Sequence, residues 1–77
     1  MFIATMDTEN YSWMALGRTE DEAEEALRRK WNERQYTLVE HGIIDEEEMS
    51  KADSVDELSE WYGIYTEELE PGECIYH

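Results

Sequence analysis

Gly17-Arg18-Thr19-Glu20-Asp21-Glu22-Ala23-Glu24-Glu25-Ala26-Leu27 is the stretch whose reading decides the fold of this chain. Glycine ends whatever segment precedes it. Thr19 is an N-cap residue, and Glu22 three positions on completes a capping box: the hydroxyl accepts from a first-turn N–H, and the carboxylate can reach back to the cap. Glu20, Asp21 and Glu22 put negative charge on the first turn, where the helix dipole favours it. Ala23, Ala26, Leu27 and Trp31 recur at helical spacing as a narrow apolar stripe. This pattern predicts a helix over 20–34, with Arg28, Arg29, Lys30 and Arg34 in a basic last turn that suits the same dipole.

Outward from that helix, both flanks read as strand. Phe2, Ala4 and Met6 alternate with Ile3 and Thr5, Asp7-Thr8-Glu9-Asn10 is a turn cluster, and Tyr11 to Leu16 is rich in bulky residues. Together they predict a hairpin, although Tyr11 to Leu16 also satisfies a helical reading. On a strand, Tyr11, Trp13 and Ala15 share one face, and Ser12, Met14 and Leu16 share the other. Both faces are apolar, so the face that helices leave bare is a contact surface. Tyr11 and Trp13 are the candidate anchors, since aromatic rings dominate interface hot spots.

Downstream, Tyr36 to Gly42 is ambiguous: Leu38 and Val39 can close a second helical segment that Gly42 stops. Asp45 can cap a short turn. Ser54-Val55-Asp56-Glu57 is a second capping box, with Val55, Leu58, Trp61 and Tyr62 on one helix face and Gly63 as the stop. Ile64 to Leu69 reads as a strand, Glu70-Pro71-Gly72-Glu73 as a turn and Cys74-Ile75-Tyr76 as a short strand. Trp31 and Trp61 read as core residues. The order ββ–helices–ββ predicts a single α+β domain over 1–77, with both hairpins in one mostly antiparallel sheet and helices packed on one face.

The charge narrows the function. Of 77 residues, 21 are Asp or Glu and 6 are Lys or Arg, a net charge of −15, while 40% are hydrophobic and 12% aromatic. That apolar content sets the chain apart from acidic disordered tails. Direct nucleic-acid binding and anionic membranes are disfavoured, because both need clustered cations. The Met1 to Met6 segment lacks the basic start and long apolar stretch of a signal peptide, and no run is long enough to span a bilayer. Cys74 is the lone cysteine, which precludes an internal disulfide and fits a cytoplasmic setting. Residues 36–77 hold 13 acids against one base, Lys51, whereas residues 1–35 hold 8 acids and 5 bases. Fifteen charges correspond to about 25 Å of duplex DNA. A globule of this length has a radius of gyration of about 11–12 Å and a span of about 30 Å, which puts its charge near the linear density of DNA. Such a surface fits a groove built for phosphates, although solubility alone would also account for it.

Catalytic and metal chemistry have weaker support. Asp45 to Glu48 lacks the glycine and spacing of a calcium loop. Cys74, His77 and His41 fall short of the four ligands of a structural zinc site. No nucleophile–base pair is recognisable. The chain is therefore expected to be no enzyme and to need no cofactor or metal.

Gly17-Arg18-Thr19-Glu20-Asp21-Glu22-Ala23, between a strand and a helix, resembles the Gly-x-Thr-x-x-Glu-Ala junction of HicB-type antitoxins. The whole chain, short, strongly acidic and α+β with exposed aromatics, resembles the small phage-encoded inhibitors of host defence, including anti-CRISPR proteins that act as DNA mimics. The second likeness implies blocking a nucleic-acid channel on a bacterial effector complex. The leading expectation is a non-enzymatic inhibitor that binds the basic, nucleic-acid-binding surface of a partner protein. Asp45, Glu46, Glu47, Glu48, Asp53, Asp56, Glu57, Glu60, Glu67, Glu68 and Glu70 would stand in for phosphates, with Tyr11 and Trp13 as apolar contacts. The alternatives are an antitoxin-like module that neutralises a basic toxin and an assembly protein that homodimerises through its aromatic sheet face.

Overall fold

The N-cap at Thr19 forms: its hydroxyl accepts from the Glu22 N–H at 3.0 Å and starts helix α1, Glu20–Glu40. A computed structural model describes residues 1–70, in which α1 follows strands β1 (Phe2–Asp7) and β2 (Ser12–Gly17). A single 3₁₀ turn, Glu46–Glu48, then leads to α2 (Val55–Tyr62) and β3 (Tyr65–Glu68). The class is α+β. The strands form one antiparallel sheet in the order β2-β1-β3, with α1 across one face. Of the expected Glu70–Glu73 turn all but Glu70, and the whole of the Cys74–Tyr76 strand, lie outside the described residues. Among the described ones, β3 pairs with β1.

Helix α1 runs six residues beyond the expected end. Its buried positions are Ala23, Leu27, Trp31 and Gln35, one every four residues. A polar residue continues the stripe, so hydrophobic periodicity alone stops at Arg34. The cluster Arg28 to Arg34 therefore sits mid-helix, and the true last turn holds no base. Termination is by Gly42, at φ 71, a backbone conformation that side chains disfavour. The Ile43 N–H closes back on the Leu38 carbonyl at 2.9 Å.

Strand register decides which β2 face is covered. Ala4 pairs with Ala15 and Met6 with Trp13, on the face that meets α1, with Ala4 and Met6 fully or nearly fully buried. The opposite face aligns Leu16 with Ile3 and Glu67, and Met14 with Thr5 and Tyr65. Met14 is 62% exposed, Leu16 55% and Tyr65 63%. The expected exposure of Trp13 is thus corrected: its ring turns inward against Trp31, edge-on at 5.6 Å between centroids. Trp13 and Ala15 pack there against the cluster that holds Leu27 and Trp31, and the period of two turns Met14 and Leu16 to the other face. Gly17 completes this seat. A Cβ on it would stand 2.4 Å from the Ala23 backbone nitrogen, so the first turn of α1 rests directly on the strand end.

The segment after the 3₁₀ turn is held by side chains of α1. Asn32 accepts from the Ala52 N–H at 2.8 Å through Oδ1 and donates to the Ala52 carbonyl at 2.9 Å through Nδ2. Arg28 Nη1 donates to the same carbonyl at 2.9 Å. Trp31 Nε1 donates to the Ser50 carbonyl at 2.7 Å, and Gln35 Oε1 accepts from the Ser50 N–H at 3.2 Å. Helix α2 then buries Leu58 completely. Trp61 departs from expectation: it is 42% exposed, as is Tyr62, because this short helix meets the core through Leu58, and Tyr62 touches it only by tilting its ring against Trp31 at 5.2 Å.

Arg28 also forms a forked ion pair with Glu25, donating through Nε at 2.9 Å and through Nη2. These bonds hold the Glu25 carboxyl below its ordinary value of 4.5. A carboxylate with a lowered folded-state pKa stabilises above its unfolded pKa, and that contribution is lost as pH falls through the folded value. Comparing thermal midpoints of the native chain and Glu25→Gln from about pH 6 to about pH 3 should show a gap that closes on the acid side. A gap constant across that range would mean the pair contributes nothing as an ion pair. The effect is small, since both partners keep solvent access.

Candidate protein-interaction surfaces

The acidic candidates occupy three elements. Asp45 precedes the 3₁₀ turn that carries Glu46, Glu47 and Glu48, all four exposed. Asp53 lies before α2, which carries Asp56, Glu57 and Glu60. Glu67 and Glu68 are on β3, and Glu70 follows it. Glu67 pairs with Ile3 on the bare sheet face, whereas Glu68 pairs with Phe2. Thr66 is anchored to Glu24 and Ser50 to Gln35, so β3 and the acidic turn meet α1 eleven residues apart, about 16 Å along the helix. The carboxylates are therefore spread along the molecule, and no group of three or more potential ligands among the described residues is placed to hold a metal ion.

Some of these acids have structural duties. Glu48 Oε1 accepts from the Asp45 N–H at 3.2 Å, at the cap of its own turn, and Glu57 Oε2 accepts from the Asp53 N–H at 3.4 Å, one residue before the Ser54 cap. Asp45, Glu46, Glu47, Asp53, Asp56 and Glu60 are exposed. The salt bridges of the described residues, Arg28–Glu25 and Lys30–Glu33, both lie within α1 and leave the acidic turn and α2 uncompensated. Lys51 is held by Tyr36: its ammonium donates to the phenol oxygen at 3.1 Å, which raises its pKa.

Shape corrects the charge-density expectation. The extents are 43 × 22 × 18 Å and the radius of gyration is 13.5 Å, longer than the sphere assumed from chain length. Duplex DNA of 43 Å would carry about 25 charges, so the net −15 amounts to about 0.6 of that density.

A second surface is concave. A groove of about 740 Å³ opens between the β1–β2 turn and the C-terminal half of α1. Tyr11, Trp13, Trp31 and Tyr62 line it, with Arg34, Leu38 and Ile43. Tyr11 is 64% and Ile43 66% exposed. The turn beside it is fixed by the Thr8 N–H donating to the Tyr11 carbonyl at 2.8 Å and the Ser12 hydroxyl donating to Asp7 Oδ1 at 2.7 Å. Trp13 Nε1 is buried with no hydrogen-bond partner, alone in this among the described side-chain polar atoms. Of the aromatic pair expected on one open face, then, Tyr11 is open and Trp13 forms a groove wall. Arg34, Leu38, Ile43 and Tyr62 carry no sequence signal as a group, because they come from three separate parts of the chain.

Compared with protein-family models, curated proteins and solved structures, the chain matches none. No helix among the described residues is long and apolar enough to cross a membrane.

Proposed function

We infer that this protein is a stoichiometric, non-enzymatic inhibitor that occupies the basic, nucleic-acid-binding surface of a partner protein, in the manner of a phage anti-defence DNA mimic. The observation that carries this reading is the uncompensated acidic surface: Asp45, Glu46, Glu47, Asp56 and Glu60 are exposed, and no salt bridge of the described residues reaches them, whereas Asp53 faces the charges of Arg28 and Lys51. A marginal domain that holds this charge bears the self-repulsion at all times, and a cationic partner relieves it. The spread of the acids along the molecule suits a surface that tracks a backbone-binding channel, whereas a metal site would need them converging on a point.

The test is capture of the partner from a bacterial lysate, followed by kinetics with the purified pair. Duplex DNA or RNA should compete for the partner, and affinity should fall steeply with salt. Glu46→Lys, Glu47→Lys and Glu60→Lys together reverse charge without touching a cap; Glu48 and Glu57 are spared because each holds a backbone N–H. This triple variant should slow association about tenfold with a smaller change in dissociation, as rim charges act on encounter. Unchanged association and salt dependence in a natively folded variant would reduce the acidic surface to a solubilising one.

A further inference from the structure

We propose that the groove between the β1–β2 turn and the C-terminal half of α1 is the anchoring pocket for an aromatic side chain of a partner protein, flanked in the partner by Lys or Arg. This deepens the reading above and rests on it for the partner's basic character. The aromatic class follows from the walls. Trp13, Trp31 and Tyr62 form a contiguous ring ladder, at 5.6 and 5.2 Å between successive centroids, and Tyr11 stands open above it. Rings pack edge-to-face and offset on such walls more favourably than aliphatic groups of equal area. Arg34, exposed at the rim and in no salt bridge among the described residues, offers a planar guanidinium to the face of an entering ring.

The basic flanks follow from charge on two sides. Asp7 and Glu9 line the groove at the turn. On the other side, the acidic run Asp45 to Glu48 is tethered at both ends to the same groove. Ile43 lines it, and Ser50 is bonded to Trp31 and Gln35, which also line it. The acidic run that the sequence singles out is thereby tied to the groove through the residues on either side of it. An aromatic anchor in the groove places its neighbouring cations over these acids, the arrangement of a buried hot spot with a charged rim. The same acids oppose a phosphate or nucleotide in the groove.

An acetylated, amidated lysine–phenylalanine–lysine peptide is the probe, with lysine–alanine–lysine and glutamate–phenylalanine–glutamate versions as controls. Titration into the isotope-labelled full chain is followed by NMR. The first peptide should shift the indole N–H signals of Trp13 and Trp31 and the amides of Tyr11 and Arg34, and bind at least about fivefold more tightly than either control. Tyr11→Ala and Arg34→Gln change exposed side chains and should each weaken it severalfold while the remaining spectrum stays native. Equal binding of the two lysine peptides, with shifts confined to Asp45–Glu48 and α2, would overturn the groove and leave the acidic-surface reading standing. No shift with any peptide would overturn the groove as well. Groove shifts equal for the lysine and glutamate phenylalanine peptides would overturn the basic flanks and, with them, the link to a cationic partner.

Discussion

Gly17→Ala is expected to be the most damaging single methyl group that can be added to this protein. The added Cβ would stand 2.4 Å from the Ala23 nitrogen, 2.8 Å from its Cα and 2.8 Å from the Glu22 carbonyl carbon, all backbone atoms. No side chain can rotate away, so relief requires lifting the first turn of α1 off the sheet. That turn carries Thr19's bond to the Glu22 N–H and seats Ala23, which has no exposed surface. Overpacking a core typically costs about 1–3 kcal/mol, and a clash with backbone belongs at the top of that range or above it. At about 4–8 °C per kcal/mol for a domain this size, the midpoint should fall by at least about 12 °C. Gly42→Ala is the control: its Cβ would meet nothing within 4 Å, and the penalty is the left-handed backbone alone, about 1–2 kcal/mol. Thermal melts giving equal, small shifts for the two would refute the close approach of helix and strand at Gly17.

Asn32→Leu should destabilise by about 2–3 kcal/mol, although leucine is nearly isosteric and a better helix former. Asn32 meets both polar groups of the Ala52 peptide unit, and Ala52 is fully buried. Arg28 still donates to the Ala52 carbonyl after the substitution, but the Ala52 N–H loses its acceptor. A buried donor left unmade costs its desolvation penalty, which outweighs the helix-propensity gain of a few tenths of a kcal/mol. Native-state hydrogen exchange gives the local readout: the Ala52 amide should lose protection disproportionately to the amides of β1. Unchanged protection at Ala52 would show that this clamp does not hold the segment. Ser50 keeps its bonds to Trp31 and Gln35 in this variant, so the loss of protection should centre on Ala52 and fade toward Ser50.

The legible parts of this fold were those set by local chemistry. Thr19 and Ser54 announce both helices because an N-cap acts within three residues, and each hydroxyl accepts the bond its spacing implies. The first hairpin follows from alternation and a polar turn, displaced by one residue at β2. The end of α1 was not legible, because Gln35 is buried for a hydrogen bond to Ser50, a residue fifteen positions away. Trp61 was misread because amphipathic spacing identifies a face and says nothing of how far the opposing surface extends.

By itself the sequence determined the α+β class, the cap positions, the one-sided distribution of charge and the acidic character of everything after α1. These depend on residues close together in the chain or on sums over it. Only the tertiary structure decided which face of β2 is inside. Tyr11-Ser12-Trp13-Met14-Ala15-Leu16 is apolar on both sides, so a period of two leaves the sign open, and the choice falls to packing against Leu27 and Trp31. That choice turns Trp13 from a sheet-face contact into a groove wall and exposes Met14 and Leu16 instead. It likewise took the long-range bonds from Asn32, Trp31 and Gln35 to tie the segment that follows the Asp45–Glu48 run to α1. Such bonds join groups that are distant in sequence, and their energy exists only once α1 and the segment after it are already in place.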